Sequence, residues 1–269
     1  MTSAPASVLP STIAEGAAAL GGGEREQAAA DRLFACALRA GESRVAARAV
    51  LEPAPDEQVL AAVLRRAVPV AFLEEVAAQR PWSERPRVLA RVVLHPRAPH
   101  ALALRLVPAL YWRDLADVAA TARVPAAVRS RAESQLEDGL AGMRLGDRVT
   151  LARLATPALL PALLADADRR VVGSALVNPR LREEDLVVAL RRDDVPLSLL
   201  ETVAASSRWA TNYAARLALV LQPRTPLALA LLQISSLVAR DLRRVAADGA
   251  LRPLVRAAAR EVLDHVPGA

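Results

Sequence analysis

The chain contains no lysine, because all 35 of its basic residues are arginine. A phosphate-binding loop of the Walker type, a pyridoxal enzyme and a protein kinase each depend on a lysine amine that arginine cannot replace. These three classes of enzyme are therefore excluded. The lack of lysine, together with abundant alanine, proline and valine, also indicates the codon usage of a GC-rich genome. The net charge of +6 is for that reason weaker evidence for a nucleic-acid partner.

Cysteine and histidine are also scarce. Cys36 is the only cysteine, which excludes an intramolecular disulfide and a thiolate metal cluster. The three histidines, His95, His100 and His265, form no pair four residues apart that could hold a metal on one helical face. We therefore expect no bound metal and no cofactor, and we expect Cys36 to be a small core residue.

Aromatic residues make up 3% of the chain although 53% of its residues are hydrophobic, so alanine, leucine and valine supply most of the apolar side chains. Alanine and leucine favour helices, and small side chains allow helices to pack closely. The composition therefore predicts an all-α fold with ample material for a core.

An uninterrupted apolar run long enough to cross a membrane is lacking too. The most hydrophobic stretch, residues 217–239, carries Gln222, Pro223, Arg224 and Pro226 near its centre. A charge and two prolines at the bilayer midplane would cost several kcal/mol. We therefore expect two short buried helices that flank a loop, no transmembrane segment, and a cytoplasmic protein.

The first 23 residues contain neither a basic leader nor the apolar core of a secretion signal. Because they are rich in alanine, serine and glycine, they are predicted to form a disordered tail. Residues 24–269 are predicted to form one domain.

One stretch of the chain occurs twice. Residues 94–136 and 221–263 align without a gap at an offset of 127 and share 19 of 43 residues, which chance does not supply. Since 127 is about three times 42, the two copies should bracket two more divergent units. Prolines recur in the same phase at Pro53, Pro96, Pro179, Pro223 and Pro267.

Residues 94–136 show how one unit should fold. Pro99 sets the backbone for the start of a first helix, a second short helix follows, and Pro125 starts a third. Their apolar stripes consist of Leu102, Leu106, Leu110, Leu115, Val118, Val128, Ala132 and Leu136. Such a unit is too small to bury these stripes alone, so the stacking of units should complete the core.

A period of 42 to 44 residues, with a proline-initiated first helix and a VRxxAxxxL final helix, resembles the armadillo/HEAT class of repeat proteins. Residues 171–190, VVGSALVNPRLREEDLVVAL, also resemble bacterial leucine-rich-variant repeats. The resemblance covers residues 45–267 and implies a right-handed α-solenoid of about five repeats. It says little about function, because these folds are mostly binding scaffolds with a few enzymes among them.

The resemblance also implies contacts between neighbouring repeats, since HEAT-type repeats often carry an aspartate that bonds an arginine of the next helix. Asp114 with Arg129, and Asp241 with Arg256, hold equivalent positions in the two copies. Buried charges of this kind must be paired. We expect a structural ladder here, because an active site would need only one copy.

Two groups of residues are candidates for binding a partner. Three Pro-Arg pairs place Arg97, Arg180 and Arg224 in loops between units, where they could bind phosphates or an acidic peptide, or simply be solvated. The second group joins aromatic residues to arginines, a mixture typical of binding hot spots. Its members are Trp112, Arg113, Arg208, Trp209 and Tyr213. These aromatic side chains could equally fill gaps between layers of alanine and leucine.

The sequence shows no unique catalytic constellation. The first hypothesis is therefore a non-catalytic scaffold that binds a protein partner through its concave face or its row of loops. The second is a DNA-binding or DNA-repair protein similar to HEAT-type alkylpurine glycosylases, with Trp112, Trp209, Asp114 and nearby arginines in a groove. A third, a peripheral membrane adaptor, depends only on the high hydropathy, which a core of alanine and leucine already explains.

Overall fold

A computed structural model describes residues 22–265, and the regular secondary structure in this range is helical throughout. The predicted all-α fold is confirmed. Most of the predicted tail lies outside the described residues, as does Pro267. Gly22 and Gly23, which the sequence assigned to that tail, instead form the start of the first described helix.

The chain divides into two compact units, Met1–Ala132 and Glu133–Ala269. The first unit contains α1 (Gly22–Ala40), α2 (Arg44–Leu51), α3 (Glu57–Val63), α4 (Val70–Ala78), α5 (Pro86–Val93), α6 (His100–Leu106) and α7 (Trp112–Ala120). Helix α8 (Ala126–Gly139) crosses the boundary. The second unit contains α9 (Leu145–Leu154), α10 (Leu160–Leu164), α11 (Arg169–Leu176), α12 (Glu183–Leu190), α13 (Leu197–Ala205), α14 (Tyr213–Leu221), α15 (Leu227–Ile234), α16 (Ala239–Ala247) and α17 (Pro253–Asp264). Short 3-10 turns cover Trp82–Glu84, Val107–Ala109 and Leu140–Gly142.

Within each unit, many helices pack against the helix that lies two places further along the chain. In the first unit α1, α3, α5 and α7 contact one another in series, and α2 contacts α4. In the second unit α9, α11 and α13 contact in series, and so do α10, α12, α14 and α16. Alternate helices therefore pack together along much of each unit, and some sequential helices, such as α16 and α17, also pack against each other.

The duplicated sequence has a duplicated structure. Helices α6, α7 and α8 begin at residues 100, 112 and 126, and α15, α16 and α17 begin 127 residues later, at 227, 239 and 253. All eight residues of the predicted apolar stripes in the first copy are buried. The predicted three-helix form of this unit is therefore confirmed.

Proline sets the start of several helices. Pro69, Pro99, Pro196 and Pro226 each stand directly before a helix, with φ between −52° and −75°. The ring of proline holds φ near this range and therefore favours the first helical turn. The hydrophobic residues 217–239 accordingly break into α14 and α15 around a turn, as predicted, but α15 is only partly buried because Leu231 and Leu232 are exposed. None of the helices in the described range is long and apolar enough to cross a membrane.

The core consists mainly of leucine, valine and alanine, with Phe72, Trp82 and Trp209 as its buried aromatic residues. Cys36 was expected in this core but is only half-buried on α1. Its sulfur accepts a hydrogen bond from Nη2 of Arg39 at 3.0 Å, one helical turn further along. Cys36 therefore lies at the edge of the buried face of α1 and not within it.

Candidate functional site

Three turns of the form Xaa-Pro-Arg, which the sequence marked as candidate binding loops, share one internal geometry. Their first residues are His95 after α5, Asn178 after α11 and Gln222 after α14, and all three side chains are buried. Each accepts a hydrogen bond from the backbone N–H of the arginine two residues on, at 3.0, 2.8 and 3.2 Å respectively. We call His95, Asn178 and Gln222 the turn clasps.

Each turn clasp also binds backbone carbonyl groups at the end of an earlier helix. His95 Nε2 lies 2.8 Å from the carbonyl oxygen of Arg66, just after α3. Asn178 Nδ2 donates to the carbonyl of Ala152 at 2.8 Å, and Gln222 Nε2 donates to that of Leu190 at 2.8 Å. The last carbonyls of a helix have no partner within it. The clasps therefore join successive helices by satisfying these groups.

The arginines of the three turns also have partners within the protein. Arg97 Nη2 lies 3.0 Å from Glu42 Oε1, Arg180 Nη1 donates to the carbonyl of Leu154 at 2.9 Å, and Arg224 Nη1 donates to that of Asp193 at 3.1 Å. Arg97, Arg180 and Arg224 thus connect neighbouring segments within the protein, and all three remain exposed to solvent.

Trp209 lies in the core, and only 3% of its surface is exposed. Its Nε1 donates to the carbonyl of Leu176 at the end of α11, at 2.9 Å. Arg208 covers the indole, with its guanidinium carbon 4.4 Å from the ring centre. A buried tryptophan usually finds a partner for its N–H in this way. The structure therefore gives Trp209 the gap-filling role that the sequence left open, in place of a binding hot spot.

The expected pair of Asp241 and Arg256 is not formed. The buried carboxylate of Asp241 instead accepts a hydrogen bond from the hydroxyl of Tyr213, which in turn accepts one from the N–H of Val238 at 3.3 Å. Burial of the hydroxyl and the bond to Asp241 raise the pKa of Tyr213. Nε of Arg256 is buried without a hydrogen-bond partner. Tyr213 is therefore a structural residue that satisfies a buried charge.

The second expected ladder pair, Asp114 with Arg129, is not formed either. Arg129 Nε donates to the carbonyl of Val124 at 3.2 Å, at the start of its own helix. Burial and the charge of Asp117 raise the pKa of Asp114, while Arg87 and Arg91 of α5 act in the opposite direction. The arginines that act on Asp114 therefore come from the preceding odd-numbered helix, because α7 packs on α5.

Trp112 and Arg113 remain at the surface of the first unit. The guanidinium carbon of Arg113 lies 5.1 Å from the ring centre of Trp112, and Tyr111 beside them is 62% exposed. Tyr111 lines an open cavity together with Glu57 and Arg85, whose charged groups lie 3.5 Å apart. Since acidic and basic groups meet there, this surface has no single sign of charge to select a partner.

A groove of about 640 Å³ lies between α9 and α11 in the second unit. Its apolar wall is formed by Leu145, Gly146, Val149, Gly173 and Val177. Val177 exposes 67% of its surface, and a Cβ atom added at Gly146 would meet nothing within 4 Å. This volume lies within the range of about 300 to 1,000 Å³ that is typical of ligand sites.

The charged residues of this groove are both basic. Arg170 is held by the carboxylate of Asp168, with Nη2 and Oδ2 2.9 Å apart, and this bond lowers the pKa of Asp168 to about 2. The side chain of Arg153 has no hydrogen bond or ion pair to another described residue. No carboxylate lies among the described lining residues. The groove therefore combines an apolar wall with one uncompensated positive charge.

The sequence alone did not identify this groove. Its only local signal is a glycine in each of two helices, Gly146 at the second position of α9 and Gly173 in the middle of α11, where glycine costs about 0.5 to 1 kcal/mol relative to alanine. That cost indicates a reason for the missing side chains, but only the packing of α9 against α11 shows that they open one cavity.

Within the described range, no group of three histidine, cysteine, aspartate or glutamate side chains is arranged to hold a metal ion. Comparisons of the chain with models of protein families, with curated proteins and with solved structures found no match.

Proposed function

We propose that the protein is a non-catalytic helical-repeat scaffold of the armadillo/HEAT kind, a right-handed α-solenoid, that binds a segment of a protein partner. The groove between α9 and α11 is the observation that carries this proposal. The contacts between alternate helices within each unit and the duplicated three-helix segment support the repeat architecture. We place the protein in the cytoplasm, where Cys36 would remain a free thiol.

The groove indicates the chemistry of the partner segment. Its apolar wall would receive a leucine-like or aromatic side chain, and burying such a side chain contributes about 1.5 to 3 kcal/mol. The uncompensated guanidinium of Arg153 would favour a carboxylate beside that anchor, because arginine binds carboxylates through two parallel hydrogen bonds. The proposed partner therefore presents an apolar anchor next to acidic residues, as peptides that dock in helical grooves do.

The substitution Gly146→Leu tests this proposal. The added side chain has open space, so it should fill the groove without disturbing the packing of α9. We expect the thermal stability to stay the same or to rise slightly, and the affinity for the partner to fall at least about tenfold. Gly23→Leu is the matched control, because Gly23 also stands at the second position of a helix and has open space around it.

The partner for this measurement can be found by site-specific photocrosslinking in the native host. A crosslinker at Val177 should capture a protein through an apolar and acidic segment, whereas a crosslinker at Val45, which is 82% exposed on α2, should not capture it. The captured protein is then purified and titrated against both glycine variants. Equal affinity for Gly146→Leu and the unchanged protein would contradict the proposal.

Nucleic acid is the second candidate, and a different surface favours it. Arg240, Arg243 and Arg244 are exposed on α16. Only Arg240 lies near a carboxylate, with its Nε 3.6 Å from Asp241. Such a basic face could contact a phosphate backbone, although burial of Trp209 removes one of the two tryptophans of the glycosylase-like hypothesis and leaves only Trp112. Contacts with phosphates would make the logarithm of the binding constant fall linearly with the logarithm of salt concentration, and no binding at low salt would exclude this function.

A further inference from the structure

A smaller cavity in the first unit is lined by three arginines from three different segments. It has a volume of about 240 Å³ and lies where α3 and α5 end and where the turn after α7 begins. Arg65 follows α3, Arg91 belongs to the last turn of α5, and Arg123 lies in the turn after α7. The packing of α3, α5 and α7 in series thus brings together arginines that are up to 58 residues apart in the sequence.

These three guanidinium groups have no carboxylate at ion-pair distance in the described chain, although Arg91 also lines a second cavity that contains Asp56 and Glu57. None of them forms a hydrogen bond or an ion pair to another described residue, and no carboxylate lines the cavity. Arg91 acts on Asp114 only through its longer-range charge. Other arginines of the same unit are paired with carboxylates, at nitrogen–oxygen distances of 2.6, 3.5 and 3.0 Å. These are Arg66 with Asp31, Arg85 with Glu57 and Arg97 with Glu42.

The helix ends at this cavity compensate only part of the positive charge. Each helix C-terminus carries at most about −0.5 of an elementary charge, so the ends of α3, α5 and α7 supply about −1.5 against the +3 of the arginines. The helix ends therefore help to keep arginine here, but an excess of positive charge remains for a bound anion to neutralise.

The other polar groups of the cavity are already occupied. The Thr121 hydroxyl donates to the carbonyl of Asp117 at 2.7 Å, and both ring nitrogens of His95 are used by the turn clasp. The guanidinium groups are therefore the donors available to a ligand. Arginine presents planar pairs of N–H groups that match the oxygen atoms of a phosphate. Because the cavity is smaller than sites for drug-sized ligands, it would hold a phosphate group and not a whole nucleotide.

We propose that Arg65, Arg91 and Arg123 form a binding site for a phosphate group, either as free phosphate or as a phosphate monoester on a larger ligand. This site lies in the first unit and does not depend on the groove between α9 and α11.

Calorimetric titration of the full chain with inorganic phosphate and with phosphoserine, at low ionic strength, tests the proposal. We expect saturable binding whose dissociation constant rises at least about tenfold in Arg91→Gln and in Arg123→Gln. Arg105→Gln should bind as the unchanged protein does, because Arg105 is exposed on α6 of the same unit and lies outside this cavity. Tighter binding of phosphoserine would identify a monoester as the ligand, and tighter binding of inorganic phosphate would identify the free ion.

The substituted side chains are exposed, so circular dichroism should show the same helix content in all variants. Arg91→Lys separates charge from geometry, since lysine keeps the charge but loses the paired N–H groups. We expect it to restore only part of the affinity lost in Arg91→Gln. The absence of saturable binding, or an equal loss in Arg105→Gln, would overturn the proposal.

Discussion

At the scale of single residues, the turn clasps show that three different side chains perform the same task. Histidine, asparagine and glutamine each offer one acceptor to the N–H of the turn and one donor to an earlier carbonyl. For His95 this geometry requires a neutral ring that carries its proton on Nε2. A second ring proton would place a donor on Nδ1 opposite the N–H of Arg97. The hydrogen bond from this N–H to His95 would then be lost.

The stability of the protein should therefore depend on pH through His95. Burial lowers the pKa of His95 from its ordinary value of 6.5, and the nearby charge of Arg97 lowers it further, while the bond to Arg66 opposes them. As the pH falls, the unfolded chain therefore takes up the proton at a higher pH than the folded protein does. We expect the free energy of unfolding to be independent of this group above about pH 6.5 and to decrease below it, with a slope of at most about 1.4 kcal/mol per pH unit.

Urea unfolding between pH 5 and pH 7.5 measures this dependence. His95→Gln should keep both hydrogen bonds, as Gln222 does, and should lose this part of the pH dependence. His100→Gln serves as the control, because His100 is exposed and should leave the dependence unchanged. A pH dependence in His95→Gln equal to that of the original protein would contradict this role.

Sequence reasoning at this scale singled out residues whose side chains do make contacts within the protein, but it did not find those contacts. Trp209, Arg180 and Arg224 stand out by type, yet their partners are backbone carbonyls 26 to 33 residues away. A carbonyl group has no signature in the amino-acid sequence. The expected pair of Asp241 and Arg256 is absent for a related reason, because the hydroxyl of Tyr213 donates a hydrogen bond to Asp241.

At the scale of helices, the hydrogen bonds that join one helix to another depend more on the helix ends than on the helix interiors. Asn178 Nδ2 lies within 3.2 Å of the carbonyl oxygens of Ala152, Arg153 and Ala155, at the end of α9. One amide group thus covers three acceptors that the helix itself cannot satisfy.

Asn178→Asp should destabilise the second unit strongly, because it replaces a donor with a negative oxygen that faces these carbonyls. We expect a loss of about 1 to 3 kcal/mol or more in the free energy of unfolding, the range for an unsatisfied buried group. Chemical denaturation measures this loss, and Gln233→Glu, on a half-exposed glutamine of α15, provides the matched control. A loss of stability no larger than that of the control would show that the clasp is unimportant.

The positions of helices were more predictable than their ends. Proline before a helix and leucine at helical spacing are local signals, and they correctly placed the three helices of residues 94–136. The groove between α9 and α11 was not predictable in this way. It arises from two glycines 27 residues apart, Gly146 and Gly173, which face one cavity only because α11 packs on α9.

At the scale of the whole molecule, the two compact units should respond separately to local damage. In the proposed repeat architecture, stability is approximately a sum of contacts between neighbouring helices. Trp209 lies in the second unit beside the end of α11, and it can report the unfolding of that unit if Trp82 and Trp112 are replaced by phenylalanine.

In this single-tryptophan background, Asn178→Ala should move the fluorescence transition of Trp209 to lower urea concentration. His95→Ala, which removes a clasp from the first unit, should move it much less. Circular dichroism, which reports helices of both units, should detect both changes. If the two substitutions shifted the Trp209 transition equally, the molecule would unfold as one cooperative block.

The turn clasps also bear on how the ancestry of such a chain can be traced. Because histidine, asparagine and glutamine present an equivalent donor and acceptor at this turn, mutation can exchange one for another without breaking the hydrogen bonds of the turn. Comparison by residue identity counts these three positions as unrelated, although they conserve one hydrogen-bonding pattern. A repeat search that scores donor and acceptor capacity at the residue before Pro-Arg would recognise repeat copies whose amino-acid identities have diverged.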